Sequence, residues 1–172
     1  MSTAPKVSLG AEADVVVVGG GPGGFAAALK AARMGASVVL IEKFDMPGGV
    51  HTAGLQGAAG PGAGGIHTEL MERFDAAGYI YTASEASHPG WAGNPLSHYE
   101  RYMKPGAEFA RASFNPEGAG NVMAAMLEEA GVETFYDTGF VDAEVADGTG
   151  NDVITSVIVE NASGRQAIRG KI

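Results

Sequence analysis

Three glycines, Gly19, Gly21 and Gly24, follow directly on the run Val15–Val18, and a carboxylate, Glu42, stands about twenty residues further on. Glycines act through the backbone, and the spacing G-x-G-x-x-G is the dinucleotide fingerprint. Gly19 permits a tight turn, Gly21 lets the backbone approach a pyrophosphate, and Gly24 allows a following helix to pack closely. Pro22 and Gly23 complete the turn. The first N–H groups of such a helix have no partner within it and carry partial positive charge, which suits phosphate. Glu42 falls at the end of the next apolar run, where a carboxylate can accept from a ribose hydroxyl, and Lys43 follows it. The competing reading is a glycine-rich turn with no ligand. A strand before, a helix after and an acid at the right distance together favour the nucleotide.

These residues need a scaffold. Val15–Val18 is short, apolar and β-branched, as a strand buried on both faces would be. Residues Phe25 to Met34 are Ala-rich, with Phe25, Leu29 and Met34 at helical spacings and Gly35 as a C-cap. Ser37 to Glu42, "SVVLIE", predicts a second buried strand. Residues 14–43 therefore form a strand–helix–strand unit with a right-handed crossover.

Composition narrows the class. A chain of 172 residues supports one ordinary domain, and 45% hydrophobic with 18% charged residues fits a globular protein. Glycine, at 27 residues, is more than twice its usual share of about 7%. A net charge of −9 argues against nucleic acid or an anionic membrane as partner, since both need a basic footprint. With no cysteine, disulfides, thiolate-ligated clusters and cysteine nucleophiles are excluded. The N-terminus has no apolar core of a signal peptide and no run approaches a membrane span, so a cytoplasmic location is expected.

The stretch "DVVVVGGGPGGFAAALKAARMGASVVLIEK" resembles the N-terminal motif of the FAD-dependent oxidoreductases, which have a glutathione-reductase-like Rossmann domain. "GGVHTAGLQGAAGPGAGGIHTEL" looks like the segment that follows it there. The resemblance implies FAD rather than NAD. It also implies that Gly48, Gly49 and Thr52 lie along the pyrophosphate and ribityl chain. The residues themselves point the same way. Gly48 to Thr68 has eight glycines, one proline and no Asp, Glu, Lys or Arg, which suits backbone packed against a broad, uncharged surface such as an isoalloxazine ring. A mobile glycine-rich loop is the alternative.

Further along, residues 66–77 predict an amphipathic helix, with Ile66, Leu70 and Phe74 on one face. Residues 79–114 hold seven of the thirteen aromatics and predict a folded insertion near flavin or substrate, or aromatic packing with no ligand. Asn115 and Pro116 predict a helix start and Gly131 its end. Residues 132–172 then predict a third parallel strand and a three-stranded antiparallel meander, with Ile168 and Ile172 facing one way. By the resemblance, Phe140 contacts adenine through its backbone.

The expected fold is α/β, a Rossmann-type parallel sheet with an antiparallel β-meander. Residues 1–172 form the N-terminal part of an FAD-binding domain, incomplete without a C-terminal partner segment. Family members continue beyond this point into a closing strand and a substrate domain. The chain is thus expected to be a subunit of a split enzyme, a cleaved piece or a shortened chain. The expected function is FAD binding within a flavoprotein oxidoreductase that passes hydride between a small organic substrate and flavin N5, with a second polypeptide supplying the rest. The alternatives are an NAD(P)-dependent dehydrogenase fragment and a non-catalytic nucleotide-binding module. No metal site is legible. His51, in the segment expected near the ring, is the candidate acid or base, with His88 and His98 as lesser ones.

Overall fold

The computed structural model describes residues 7–59, 64–80, 112–146 and 152–172. The chain divides into two units, Met1–Pro47 with Met126–Ile172, and Gly48–Ala125.

In the first unit, β1 (Ser8–Ala13) and β2 (Val15–Val18) lead into α1 (Pro22–Arg33) and β3 (Val38–Ile41). Later in the chain come β6 (Glu133–Phe135), β7 (Gly139–Ala146), β8 (Val153–Asn161) and β9 (Gly164–Gly170). Three strands form a parallel sheet in the order β2-β3-β6. The meander strands form a second sheet, β1-β9-β8-β7. The fold is α/β, a Rossmann-type sheet with an antiparallel meander. The meander carries one more strand than expected, since β1 runs parallel to β9. Its sequence, SLGAEA, has only small apolar residues and a glycine, too weak an alternation to announce a strand.

Two facing patterns close the core. Val39 and Ile41 of β3 meet Val159 of β8, Ile168 of β9 and Ala13, with Val16 and Phe135 packed against them. Side chains alternate along a strand, so Val38 and Leu40 point to the opposite face, the side of α1 and its buried Phe25, Ala28 and Leu29. All four β3 residues are buried.

β2 departs from the expectation. Val15 to Val17 are half-buried and Val18 is 46% exposed. The physical reason is position: β2 is the edge of the parallel sheet. Ile172 lies along that edge, its N–H donating to the Asp14 carbonyl (3.1 Å) and its carbonyl accepting from Val16 N–H (2.9 Å). One residue bonding two that flank its neighbour is parallel-strand pairing. Ile172 itself is 87% exposed, so it does not share the buried face of Ile168. α1 likewise begins at Pro22 rather than Phe25, because proline at the first helical position needs no N–H partner and presets φ.

Asp14 ties these segments together. Its carboxylate accepts from Lys171 Nζ (2.6 Å), Ser37 Oγ (2.7 Å) and Ser37 N–H (2.9 Å). The Lys171 ammonium first, and the Ser37 donors second, hold the Asp14 carboxyl below the usual carboxylate range. A depressed folded pKa gives stability that is full above the unfolded value, about 3.9, and is lost as pH falls toward the folded one. Wild type is therefore expected to be more stable than Asp14→Asn at pH 7. The gap should narrow progressively below about pH 4, read by denaturant midpoints across pH. Added salt should shrink it, because the pair is at the surface.

In the second unit, a short 3-10 turn (Gly49–His51) precedes β4 (Ala58–Ala59), α2 (Ile66–Ala76) and β5 (Ala112–Ser113). β4 pairs antiparallel with β5. α3 (Pro116–Glu129) begins in this unit, where Asn115 Oδ1 accepts from Gly118 N–H at 3.0 Å as an N-cap does. Phe74 and Phe114 are buried with ring centroids 4.9 Å apart. Residues 81–111 of the expected insertion at 79–114, with His88 and His98, lie outside the described residues.

Candidate functional site

In the first unit, β2 and β3 run parallel, so the turns leaving their C-terminal ends lie side by side. The β2 turn carries the glycines and the β3 turn carries Glu42. Gly19 N–H makes a sheet bond to the Ile41 carbonyl at 2.7 Å, after which the chain departs with Gly19 at φ +96°, a conformation that favours glycine. Gly21 caps α1, whose first bond is Phe25 N–H to the Gly21 carbonyl at 2.8 Å.

The glycines have distinct surroundings. A Cβ on Gly24 would overlap the Gly19 carbonyl oxygen and stand 3.0 Å from the Gly19 carbonyl carbon, so helix and turn touch there through backbone. At Gly21 and Gly23 a Cβ would have no neighbour within 4 Å. Tight packing therefore sits at the third fingerprint glycine and open space at the second.

Glu42 is 4% exposed. Its Oε2 accepts from Gly20 N–H at 2.6 Å and its Oε1 from Phe44 N–H at 2.9 Å. These bonds satisfy a carboxylate that burial alone would penalise. Lys43 is exposed, with Nζ 4.7 Å from the Phe44 ring centroid.

Three residues after β6 join this cluster without having been singled out in the sequence. Thr138 N–H donates to the Glu42 carbonyl (3.0 Å) and Asp137 N–H to the Phe44 carbonyl (3.1 Å). Asp137 has φ +49°, and the buried Thr138 hydroxyl donates to the Tyr136 carbonyl at 2.7 Å. Burial, and secondarily the Glu42 charge, push the Tyr136 phenol upward, against a Thr134 hydrogen bond that lowers it. The one sequence clue was "DTG", a short polar run able to take a left-handed turn. Phe140 lies on β7 opposite Val159, 52% exposed and next to a register shift.

The second unit holds the other expected residues. Gly48 has φ +106°, and a Cβ there would collide with the Thr52 side chain and stand 2.9 Å from Met123 Sδ. Gly48 and the buried Thr52 are thus brought together, with Gly49 opening the turn between them. The His51 ring meets Phe114 edge-on, with centroids 6.0 Å apart, and its Nδ1 is 3.4 Å from the Gln56 carbonyl. Among the described residues no group of His, Asp and Glu forms a metal cluster. No described helix is long and apolar enough to cross a membrane.

Comparison with known proteins matches this chain to a family. The chain is 54% identical over 39 residues to dihydrolipoyl dehydrogenase of Acholeplasma laidlawii, covering 23% of this chain and 11% of that protein. It is 58% identical over 38 residues to leghemoglobin reductase of Glycine max, covering 22% and 7%. Among solved structures, THI4 of Thermovibrio ammonificans superposes with a TM-score of 0.58 at 19% identity, over 93% of this chain and 55% of that one. A geranylgeranyl bacteriochlorophyll reductase-like protein of Thermoplasma acidophilum gives 0.59 at 20%, over 95% and 38%. The 3-ketosteroid-Δ4-(5α)-dehydrogenase of Rhodococcus jostii gives 0.54 at 20%, over 98% and 46%. At these identities the superpositions show a shared fold. The chain spans little more than half, or less, of each of these structures. A family model, FAD dependent oxidoreductase, matches residues 14–172, and the chain belongs to that family, with FAD as its cofactor.

Proposed function

We propose that this chain binds the adenosine and pyrophosphate end of FAD within a flavoprotein oxidoreductase that moves hydride between a small organic substrate and flavin N5. The observation that carries this reading is the pairing of open backbone at Gly21 and Gly23 with the buried Glu42 carboxylate, on adjacent turns. In this reading Gly19, Gly21, Pro22, Gly23 and Gly24 receive the pyrophosphate at the start of α1. Glu42 accepts from the ribose beside Lys43, and Phe140 offers its backbone to adenine. Gly48, Gly49 and Thr52 of the second unit are assigned to the cofactor on the family resemblance, with His51 as candidate acid or base. The flavin supplies the redox chemistry when bound, so these residues bind and orient.

The purified protein should show the visible absorption of flavin at one equivalent per chain. A colourless protein that binds NAD would overturn the cofactor role, and a flavin that no substrate bleaches would leave a binding module. Glu42→Ala should weaken FAD binding by about 1–3 kcal/mol, the range for a hydrogen bond to a charged group, measured by flavin titration. Unchanged affinity would remove Glu42 from the site.

The same reading includes a second polypeptide that carries the closing strand and the substrate domain, in a cytoplasmic complex. Residues 1–172 serve in it as the N-terminal part of an FAD-binding domain. Two observations support an additional strand at this edge. N–H groups alternate sides along a strand, so Val18 presents its own to the same β2 edge that pairs with Ile172. Beside that edge lies a groove of about 580 Å³ whose largely apolar lining includes Val16, Val18, Ile154 and Ile168, with Asp152 and Lys171 also on it. A parallel strand placed there would cover apolar surface and satisfy the edge. The interface should exceed about 2,000 Å². Intact-mass analysis of active, yellow material should show another chain beside this one of 17.4 kDa. If this chain alone is monodisperse, holds FAD and turns over substrate, the partner is not needed.

A further inference from the structure

We propose that Glu42 is a positioning residue that holds the glycine turn in shape before any nucleotide arrives, and that Gly20 is its anchor point. This rests on the reading of that turn as the pyrophosphate site, and adds a task distinct from contact with the ribose.

Gly20 is one of the unassigned positions of the fingerprint, since Gly19, Gly21 and Gly24 fill its three glycine places. Before it, the turn is held by Gly19 N–H on the Ile41 carbonyl; after it, by Phe25 N–H on the Gly21 carbonyl. Between these two backbone bonds the chain is fixed by Gly20 N–H on Glu42 Oε2 at 2.6 Å, across 22 residues of sequence. The other oxygen holds Phe44 N–H at 2.9 Å, on the turn after β3. One buried carboxylate thus joins both turns that leave the sheet. A Cβ on Gly20 would stand 3.0 Å from Glu42 Oε2 and 3.3 Å from Glu42 Cβ, so the side chain occupies the space that a larger residue at position 20 would need.

A carboxylate has about four acceptor positions on its two oxygens. Glu42 can keep both backbone donors and still accept a ribose hydroxyl. The donors fix its rotamer and fix the turn relative to β3. The backbone that faces the pyrophosphate is then ordered in advance, so that ordering is not charged to cofactor binding.

The test uses amide hydrogen exchange on the full chain stripped of nucleotide. Glu42→Gln keeps the shape but has a single acceptor oxygen, so Gly20 or Phe44 loses its partner. Exchange at that amide should rise about tenfold, the equivalent of one such hydrogen bond. Gly20→Ala leaves the Glu42 carboxylate in place but crowds it. It should raise exchange at position 20 and lower FAD affinity by about tenfold, on the same hydrogen-bond scale. A carboxylate serving the ribose alone predicts unchanged exchange at Gly20 and Phe44 in Glu42→Gln, and unchanged exchange at position 20 in Gly20→Ala. Either result would overturn the proposal. Should Glu42→Gln fail to fold, Gly20→Ala carries the decision. The exchange measurement needs no cofactor: if the wild type bound no FAD, the proposed function would fail while the turn-to-carboxylate latch could still be seen.

Discussion

Gly24→Ala is expected to be the most damaging single methyl group in the first unit, lowering stability by about 3 kcal/mol or more, the upper end of the overpacking range. The added Cβ would overlap the Gly19 carbonyl oxygen, with Val17 Cγ1 a further neighbour at 3.3 Å. A side chain could rotate away, but the obstacle is backbone. Gly19 is itself held by its bond to Ile41 and by φ +96°. Relief requires α1 to lift from the turn, and Phe25, Ala28 and Leu29, all buried, would lose packing with it. Denaturant unfolding should show a lower midpoint at unchanged slope. Gly23→Ala is the control, because a Cβ there meets nothing within 4 Å and φ is not positive. Its stability should stay equal or rise by about 0.4–1 kcal/mol through the unfolded chain's lost freedom. Equal effects at Gly24 and Gly23 would contradict this packing.

Gly21→Val is expected to have the largest effect on cofactor and little on fold. Gly21 has φ −60° with open space around its Cβ position, so a branched side chain is accommodated by the protein itself. That space is where the proposed pyrophosphate approaches the backbone. Flavin content of the purified variant should fall to near zero, while far-UV circular dichroism and the thermal midpoint stay close to those of wild type stripped of flavin. Retention of one equivalent of flavin would sink the assignment of this turn. The two glycine variants separate the roles within one motif: Gly24 serves packing, and Gly21 is proposed to serve access.

Much of the first unit was legible from local signals. Two apolar, β-branched runs, an Ala-rich segment and a glycine after it announced β2, α1, β3 and their order. Asn115 before Pro116 announced the start of α3, and the pattern of residues 132–172 announced the antiparallel meander that contains the β8–β9 hairpin. Where the reading missed, position in the sheet was responsible. Four consecutive valines look the same on a central strand and on an edge, so the exposure of Val18 could not be seen. Ile172 alternates correctly with Ile168, yet β9 ends at Gly170 and the chain turns to the edge of β2.

By itself the sequence determined β2, α1, β3, α3 and the meander strands, the fingerprint glycines and an acid at the end of the second strand. The elements and the glycine turn depend on residues within a turn or two of one another, where φ preference, periodicity and capping act, and the acid on the length of the strand–helix–strand unit. Only the tertiary structure decided that Glu42 holds the Gly20 and Phe44 amides, that Asp14 joins Ser37 to Lys171, and that β1 lies along β9. These contacts link segments as much as 157 residues apart. They form because packing the two sheets face to face brings particular strand ends together, and polar groups there must find partners once water is excluded.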